Sequence, residues 1–501
     1  MSEIVAPVIY EISSPGRVGC FLPRSDVPEA EVPAELLRAD LPLPEVSEVD
    51  VVRHFVRLSS LNYHLDKGIY PLGSCTMKYN PKVNEDAARL PGFAELHPYQ
   101  EHHQVQGAMH IMYQLQEFLK EIGGFAGVSL QPAAGAHGEL TGVLIMRAYH
   151  CARGDTCRGT ILIPDSAHGT NPASTAMSGL TVVEIKSDAR GNVDLEDLKA
   201  HLDSSVVGLM LTNPNTLGLF DEHVQEVSRL VHEAGGLMYG DGANLNAIMG
   251  VVKPADLGID VMHFNLHKTF STPHGGGGPG SGPVGVVSKL VDYLPAPIVQ
   301  ICPGEGCECG CGDEEECGCD DEGIHYCWKT PAKTIGRVKT FYGQFGVIVR
   351  AYTYIRMLGA AGLRDVAENA VLNANYLQVL LKKVYPLSHD RICKHEFVLE
   401  GKVAGAPDVH ALDISKRLID YGLHPPTNYF PLIVPEALMI EPTETESLES
   451  LDYFAEAMRR IAEEARTNPQ LLHDAPTTAP VTRLDEVGAA RNPRLRWKPA
   501  Q

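Results

Sequence analysis

Residues 263–280 join an apolar strand to a glycine-rich loop and read His263-Phe264-Asn265-Leu266-His267-Lys268-Thr269-Phe270-Ser271-Thr272-Pro273-His274-Gly275-Gly276-Gly277-Gly278-Pro279-Gly280. A lysine with a lowered pKa, in a buried or cationic environment, can form a Schiff base. Glycine lets the backbone approach a phosphate or a neighbouring chain closely. An isolated lysine beside a flexible loop is more often an ordinary surface residue. The four glycines that follow an apolar strand favour the functional interpretation of Lys268.

A second signal lies 27 residues before Lys268, in the run Gly236-Leu237-Met238-Tyr239-Gly240-Asp241-Gly242-Ala243-Asn244. Open α/β sheets bind ligands at the carboxyl ends of their strands, where Asp241 is expected. In enzymes that use pyridoxal phosphate (PLP), an Asp pairs with the pyridinium nitrogen. A strand-terminal Asp can equally cap the next helix. Because Asp241 and Lys268 both lie at strand ends, the pair favours the cofactor.

Three further loops follow predicted strands and are expected at the same edge of the sheet. They read Gln131-Pro132-Ala133-Ala134-Gly135-Ala136-His137-Gly138-Glu139, Pro164-Asp165-Ser166-Ala167-His168-Gly169-Thr170-Asn171 and Thr212-Asn213-Pro214-Asn215-Thr216. The first leaves free N–H groups at a helix start, which is a phosphate-binding arrangement. His168 can stack on a flat ring and assist proton transfer. Thr212 can meet a ring hydroxyl or cap a helix. Each loop alone is a weak signal.

Short apolar runs alternate with helix-length segments through the middle of the chain. We predict strands at 127–130, 160–163, 181–185, 206–211, 236–239, 261–264 and 284–287, with helices at 104–122, 139–151, 195–202 and 221–234. This repetition is typical of an α/β domain with a mainly parallel sheet. We therefore divide the chain into an N-terminal arm (1–60), a large cofactor-binding domain (61–364), a smaller C-terminal α+β domain (365–474) and an extended tail (475–501).

The composition narrows the function class. The 501 residues include 42 basic and 63 acidic side chains, a net charge of 42 − 63 = −21, and 44% are hydrophobic. The acidic balance argues against nucleic acid as a partner. No run reaches the ~18 apolar residues that span a bilayer, so we expect no membrane partner. The first 20 residues lack a secretion or transit pattern, so we expect a cytoplasmic protein.

The cysteines are concentrated in one stretch. Seven of the 12 lie between Cys302 and Cys327, with nine acidic residues and six glycines. The thiols of Cys307, Cys309, Cys311, Cys317 and Cys319 are numerous enough for Zn²⁺ or another soft metal. Their spacing departs from the usual Cys-x₂-Cys pairs, and the composition also suits a flexible insert. Both interpretations stay open, and we assign no residue as a metal ligand.

Longer strings extend over most of the chain: Pro71-Leu72-Gly73-Ser74-Cys75-Thr76-Met77-Lys78-Tyr79-Asn80-Pro81, His97-Pro98-Tyr99-Gln100, Gln104-Val105-Gln106-Gly107-Ala108, Gly336-Arg337, Phe341-Tyr342-Gly343, His395-Glu396-Phe397-Val398-Leu399, His424-Pro425-Pro426-Thr427-Asn428-Tyr429-Phe430-Pro431 and Met439-Ile440-Glu441-Pro442-Thr443-Glu444-Thr445-Glu446-Ser447. With the motifs around Asp241 and Lys268, they resemble glycine decarboxylase, the P-protein of the glycine cleavage system, and specifically its separate PLP-carrying subunit 2.

The resemblance implies a fold and a set of site residues. The fold is that of fold-type I PLP enzymes, the aspartate aminotransferase-like group. Lys268 forms the Schiff base, Asp241 meets the pyridine nitrogen, and His168 stacks on the ring, so Lys268 and His168 are the implied catalytic residues. The other implied cofactor-binding residues are Ala134, Gly135, Ala136, Thr212, Ala243 and His267, with the phosphate beside 134–136 and His267 nearby.

The resemblance also implies the reaction and the partners. Glycine replaces Lys268 on the cofactor, CO₂ is released, and the aminomethyl group passes to the lipoyl arm of H-protein. Subunit 1 is the implied partner, in a heterotetramer of two plus two. The loops at 73–80 and 97–100 are candidates for lining the channel of the lipoyl arm. Cys75 could lie near this channel, with packing at least as good an interpretation as chemistry.

Two departures and two alternatives accompany the resemblance. His137 stands where we expect glutamine in many relatives, and the cysteine-rich stretch is a further difference. Another PLP-dependent aminotransferase or lyase of the same fold, acting on a different amino acid, is one alternative. A non-catalytic scaffold that binds its partner without cofactor is the other, and the intact Lys268 and Asp241 argue against it.

Overall fold

The computed structural model describes residues 6–28, 30–274, 278, 280–302 and 324–498. The cysteines from Cys307 to Cys319 lie outside these described residues, so both interpretations of the cysteine-rich stretch stay predictions. Three of the four consecutive glycines after Lys268, at 275–277, also lie outside them.

A seven-stranded sheet carries the predicted strands. Its spatial order is β1 (Gly127–Ser129), β7 (Val284–Val286), β6 (Val261–Phe264), β5 (Leu237–Gly242), β4 (Val206–Thr212), β2 (Thr160–Pro164) and β3 (Thr181–Ile185). β7 is antiparallel to both of its neighbours, and the other pairs are parallel. The strands β4, β5 and β6 are buried along their whole length, as continuous apolar runs in a parallel sheet are. The predicted mainly parallel α/β architecture is confirmed.

The helices of the first part of the chain are α1 (Glu48–Leu61), α2 (Lys82–Ala88), α3 (Pro91–Ala94), α4 (Gln106–Gly123), α5 (Gly135–Ala152), α6 (Thr170–Met177), α7 (Leu195–His201) and α8 (Val224–Glu233). Their ends have local causes. A capping box of Ser47 and Asp50 starts α1, and Asp194 caps α7, because these side chains satisfy N–H groups that have no intrahelical acceptor. Gly124, with φ 76°, ends α4 in the left-handed conformation that glycine tolerates.

A smaller antiparallel sheet follows the long helix α9 (Phe345–Leu381). Its order is β10 (Phe397–Glu400), β12 (Ala437–Ile440) and β11 (Thr427–Asn428), and its helices are α10 (Ala411–Asp420), α11 (Leu448–Thr467) and α12 (Gln470–His473). These elements share a hydrophobic cluster that includes Phe397, Phe454 and Ile461. Gly359 (φ 62°, ψ −176°) interrupts α9. The predicted smaller α+β part is present.

Some elements differ from the sequence-based prediction. The strands β8 (Ile298–Ile301) and β9 (Tyr326–Lys329) pair antiparallel, and most of the cysteine-rich stretch lies between them in the sequence. The tail is not extended throughout, because it contains the helix α13 (Glu486–Arg491), capped by Asp485. Within the described parts of the chain, every helix is too short or too polar to cross a membrane.

The segment before the large sheet contacts the smaller sheet. Leu72 forms an isolated antiparallel bridge with Ile440, and the hydroxyl of Thr427 donates to the carbonyl of Gly73 at 2.9 Å. A β-carbon on Gly73 would overlap the side chain of Met439. This close contact holds residues 72–76 between the two sheets, beside the site described next.

Candidate active site

The carboxyl ends of β4, β5 and β6 border one cavity of about 180 Å³. Its lining residues are Ser74, Gly135, Ala136, Glu139, His168, Thr170, Thr212, Thr216, Asp241, Ala243, His263, Asn265, His267 and Lys268. All predicted site residues except Ala134 line this cavity, and Ala134 is the N-cap residue of α5, directly before Gly135. The structure therefore brings the residues of the separate loops together.

Lys268 lies in the turn that follows β6. Its backbone N–H donates to the carbonyl of Asn265 at 3.0 Å, and its Nζ donates to the carbonyl of Ser74 at 2.8 Å. Ser74 (φ 64°) and Thr76 (φ 45°) have left-handed backbone conformations. These conformations are unfavourable for residues other than glycine, above all for the β-branched Thr76, so surrounding contacts must hold them.

Asp241 is a buried carboxylate at the end of β5. Its oxygens accept hydrogen bonds from the N–H of Ala243 at 2.9 Å and from the amide of Asn171 at 3.1 Å. Its Oδ1 lies 3.4 Å from Nε2 of His263. Burial by itself would raise the pKa of Asp241, but His263 and these hydrogen bonds hold that pKa below its ordinary value. Asp241 is therefore ionised in the cavity.

Glu139 is a buried residue of the cavity that the sequence-based assignment misses. It accepts hydrogen bonds from the hydroxyl of Thr170 at 2.7 Å and from the amide of Asn171 at 3.1 Å. Burial, together with the nearby charge of Asp241, raises its pKa to about 7. The sequence feature that could have identified Glu139 is an acidic residue near the start of a helix, among residues that are mostly small or apolar.

His168 is held at the cavity by a residue of α6. Its Nδ1 accepts the N–H of Thr170 at 3.2 Å and lies 2.9 Å from the hydroxyl of Thr170. Burial, assisted by the charge of Lys268, lowers the pKa of His168. The ring is therefore neutral near pH 7, and because Nδ1 accepts the N–H, its proton is on Nε2.

The start of α5 forms a narrow turn beside the cavity. The N–H groups in the first turn of a helix have no intrahelical acceptor. Ala134 provides no side-chain cap for them in α5. A β-carbon on Gly282 would overlap the carbonyl oxygen of Ala134. The sequence assigns no role to His137. In the structure, its Nδ1 accepts the N–H of Ala133 at 3.1 Å, and this hydrogen bond stabilises the turn.

His267 lines the cavity as a neutral ring. Burial, with the charge of Lys268, lowers its pKa to about 3. Its Nδ1 accepts the N–H of Ser281 at 3.3 Å. The proton of the neutral ring is therefore on Nε2.

The cavity fits the chemistry of PLP. It offers an amine (Lys268) for the aldehyde, a carboxylate (Asp241) for the pyridine nitrogen and an uncapped helix start for the phosphate. In the described part of the chain, the buried hydroxyl of Thr212 has no hydrogen-bond partner, and a ring hydroxyl is a suitable one. Cys75 is mostly buried, and burial raises its pKa, so it is a thiol rather than a nucleophilic thiolate.

Comparison with known proteins decides the family. The family described as "Glycine dehydrogenase, C-terminal domain" matches residues 366–476, and "Aminotransferase class-V" matches residues 146–277. A probable glycine dehydrogenase (decarboxylating) subunit 2 from Caldanaerobacter subterraneus subsp. tengcongensis is 57% identical over 495 residues, which cover 98% of each chain. This chain belongs to the glycine dehydrogenase (decarboxylating) subunit 2 family.

A further relative agrees with this glycine dehydrogenase subunit 2 membership, and two solved structures share the fold. The probable subunit 2 of Chloroherpeton thalassium is 54% identical over 501 residues, covering 99% of this chain and 98% of the relative. A crystal structure of glycine decarboxylase (P-protein) of the glycine cleavage system, in inhibitor-bound form, matches with a TM-score of 0.70 and 21% identity over 86% of this chain and 93% of its own. The apo cysteine desulfurase of Thermococcus onnurineus NA1 matches with a TM-score of 0.59 and 16% identity, over 79% and 95%. The predicted family and the fold-type I fold are confirmed.

Proposed function

We infer that this chain is the PLP-carrying subunit of a glycine dehydrogenase (decarboxylating) and releases the carboxyl group of glycine as CO₂ within the glycine cleavage system. The observation that carries this inference is the placement of the Lys268 amine and the ionised Asp241 on one cavity, beside an uncapped helix start. When bound, PLP supplies an electron sink for the pair released as the bond from Cα to the carboxylate breaks.

Lys268 and α5 would hold the cofactor at its two ends. The Nζ of Lys268 would supply the amine for the Schiff base. The first-turn N–H groups at Gly135 and Ala136, at the positive end of the helix dipole, would bind the phosphate. His267 is neutral, so it contributes an N–H donor from Nε2 and not a second cation.

Asp241 and Thr212 orient the ring. An ionised Asp241 would keep a proton on the pyridine nitrogen, and the N–H of Ala243 and the amide of Asn171 fix the direction of its oxygens. The hydroxyl of Thr212, which has no partner among the described residues, would bind the ring hydroxyl. Because the oxygens of Asp241 are fixed before the cofactor binds, little reorganisation would be needed there during the reaction.

His168 contributes a neutral, flat ring to the same cavity. Its imidazole would stack on the cofactor, and its Nε2 carries the proton that it could exchange. Thr170 fixes the orientation of this ring from the start of α6. We assign His168 and Lys268 as the catalytic residues on this basis.

The acceptor and the partner subunit are part of the proposal. The aminomethyl group passes to the lipoyl arm of H-protein, and the chain assembles with subunit 1 as two plus two. His97 and Pro98 line an apolar cavity of about 380 Å³, and Ser74 lines the site itself, which supports these two loops as walls for the arm.

The N-terminal arm supports a protein partner. Phe21 is 93% exposed, Leu22 83% and Leu36 72%, and contact with a partner chain would bury these apolar side chains. We propose the domain bounds 1–60, 61–364, 365–474 and 475–501, and a cytoplasmic location, on the sequence patterns given above.

The test uses the purified chain with PLP, subunit 1 and lipoylated H-protein. We expect a visible absorbance from the bound cofactor and exchange of labelled bicarbonate into glycine that depends on all three additions. Amino transfer from another amino acid without this exchange would favour the aminotransferase alternative. A colourless chain that cannot be loaded with PLP would favour the scaffold.

A further inference from the structure

Three ionisable residues lie behind the segment that contacts Lys268. His395 and Glu396 directly precede β10, and Glu441 directly follows β12. All three side chains are fully buried. Nε2 of His395 lies 3.9 Å from Oε1 of Glu396 and 3.9 Å from Oε1 of Glu441. This cluster, called the carboxyl cluster below, is not used in the function proposed above.

The two carboxyl groups bind the backbone next to Lys268. The N–H of Ser74 donates to Oε2 of Glu396 at 2.7 Å, and the N–H of Thr76 donates to Oε2 of Glu441 at 2.9 Å. Ser74 and Thr76 are the two left-handed residues of this segment. The carbonyl of Ser74 in turn accepts the Nζ of Lys268 at 2.8 Å. Each carboxyl therefore holds one unfavourable backbone conformation that is needed to present this carbonyl.

The amide of Asn244 extends the same contacts toward Asp241. It donates to Oε1 of Glu396 at 3.4 Å and to the carbonyl of Pro214 at 2.8 Å. Glu396 is therefore placed between the segment that contacts Lys268 and the loop that follows β5.

The cluster also places negative charge near Lys268. The titratable groups that face Glu396 and Glu441 are Lys268, Cys75, His274, Cys393, His395 and Glu444. Burial lowers the pKa values of both histidines, that of His395 to about 3, so both are neutral. Glu444 is paired with Lys78 at 2.8 Å. Lys268 is thus the cation within the described residues that acts on both carboxyls.

The two carboxyls cannot both be ionised near neutral pH. Burial raises the pKa of Glu396 well above its ordinary value, and Glu441 adds to this; burial raises the pKa of Glu441 to about 7. One oxygen of each carboxyl lies within 4.8 Å of the other, so the negative charge of one acid disfavours ionisation of the other. The cluster then presents about one negative charge toward Lys268.

We propose that Glu396 and Glu441 are positioning residues for Lys268, which hold the backbone of Ser74 and Thr76 so that the Ser74 carbonyl meets its amine, and which place negative charge near it. The proposal deepens the function given above and rests on the role of Lys268 as the Schiff-base residue.

The first test separates the hydrogen bonds from the charge. Glu396→Ala and Glu441→Ala remove the acceptors for the two N–H groups, whereas Glu396→Gln and Glu441→Gln keep an oxygen in place. We expect covalent attachment of PLP, trapped by borohydride and followed by mass, to slow by about 10- to 100-fold in the alanine variants, as misplacement of a reacting group does. The glutamine variants should recover most of this rate.

The second test removes the charge and keeps the acceptors. In the PLP-loaded double variant Glu396→Gln/Glu441→Gln, we expect the pH midpoint of the visible absorbance to fall by about one unit, because a nearby negative charge favours the protonated Schiff base. Glu436→Gln is the matched control. Glu436 also accepts a backbone N–H, from Ala411 at 2.8 Å. It lies at the opposite end of β12 from Glu441.

Failure of the positioning role can be distinguished from failure of the proposed function. A wild-type attachment rate in both alanine variants, or an unchanged midpoint in the loaded double glutamine variant, would overturn the positioning role. Failure of the wild-type chain to bind PLP would instead sink the proposed function. If the alanine variants do not fold, as judged by circular dichroism, the midpoint of the double glutamine variant decides alone.

Discussion

At the scale of single residues, the cavity separates charged from neutral groups. Asp241 is held ionised by hydrogen bonds and by His263, whereas His168 and His267 are held neutral by burial and by the charge of Lys268. The surroundings of each group thus set its charge. This separation gives one anion for the ring nitrogen and neutral donors elsewhere.

Replacing Lys268 with alanine tests the cofactor lysine directly. Lys268→Ala should abolish covalent attachment of PLP, because the Schiff base needs the Nζ amine. The measurement is the mass of the chain after borohydride reduction, with the wild-type chain treated in parallel. A borohydride-stable adduct that persists in the variant would assign the attachment to a different lysine.

His395 makes folding sensitive to acid. Its pKa is about 3 in the folded chain, because burial disfavours the charged ring, against about 6.5 when unfolded. The unfolded state therefore binds more protons, and the free energy of unfolding falls as the pH falls from about 6.5 toward 3. At pH 5 this residue alone accounts for a loss of about 2 kcal/mol.

The variant His395→Gln should remove this part of the pH dependence. Urea unfolding at pH 7.5 and pH 5 should show a smaller loss of stability in the variant than in the wild-type chain. His103→Gln is the control, because His103 is exposed, and it should behave as wild type. An equal acid sensitivity of His395→Gln and wild type would show that His395 is charged in the folded chain.

At the scale of elements, a methyl group added at Gly282 tests the close contact between the start of α5 and the residues just before β7. Gly282 donates its N–H to Pro132 at 2.9 Å, and a β-carbon there would overlap the carbonyl of Ala134. Gly282→Ala should push the start of α5 away, costing about 1–3 kcal/mol of stability, and should weaken PLP binding. Thermal unfolding and a PLP titration measure these effects.

Gly159→Ala is the matched control for this change. Its β-carbon would meet nothing within 4 Å, so both stability and PLP affinity should stay close to wild type. Wild-type PLP affinity in Gly282→Ala would mean that the start of α5 does not bind the phosphate.

The sequence predicts those elements whose signal is local. The strands β4, β5 and β6 are continuous apolar runs, so both their positions and the residues at their ends could be placed. The helix α6 is missed because its residues, Thr170-Asn171-Pro172-Ala173-Ser174-Thr175-Ala176-Met177, are mostly small and polar. The strands β8 and β9 are missed because their pairing spans the cysteine-rich stretch. Glu139 is missed because its burial depends on neighbours from other loops.

At the scale of the whole molecule, the exposed N-terminal arm predicts a partner contact. The double change Phe21→Ser/Leu22→Ser should leave the fold of the isolated chain unchanged, because both side chains are exposed. It should weaken association with subunit 1 by tenfold or more, since burial of each such side chain is worth about 1.5–3 kcal/mol. Analytical ultracentrifugation of the mixed subunits measures the association.

Ile392→Ser provides the control for that experiment. Ile392 is 79% exposed but lies between α9 and β10, in the smaller α+β part, and its replacement should leave the association unchanged. Equal association of the arm variant and wild type would remove the arm from the proposed interface.

The segment 72–76 has a consequence for how the protein is made. Ser74 is bound by a residue 322 positions later, and Thr76 by one 365 positions later. Contacts over such separations close late in folding, because long loops must be ordered first. A nascent chain that has emerged only as far as α9 already contains Lys268 and Asp241 but lacks both carboxyls. The N–H groups of Ser74 and Thr76 therefore have both of their carboxyl acceptors only after the ribosome has synthesised the chain through Glu441.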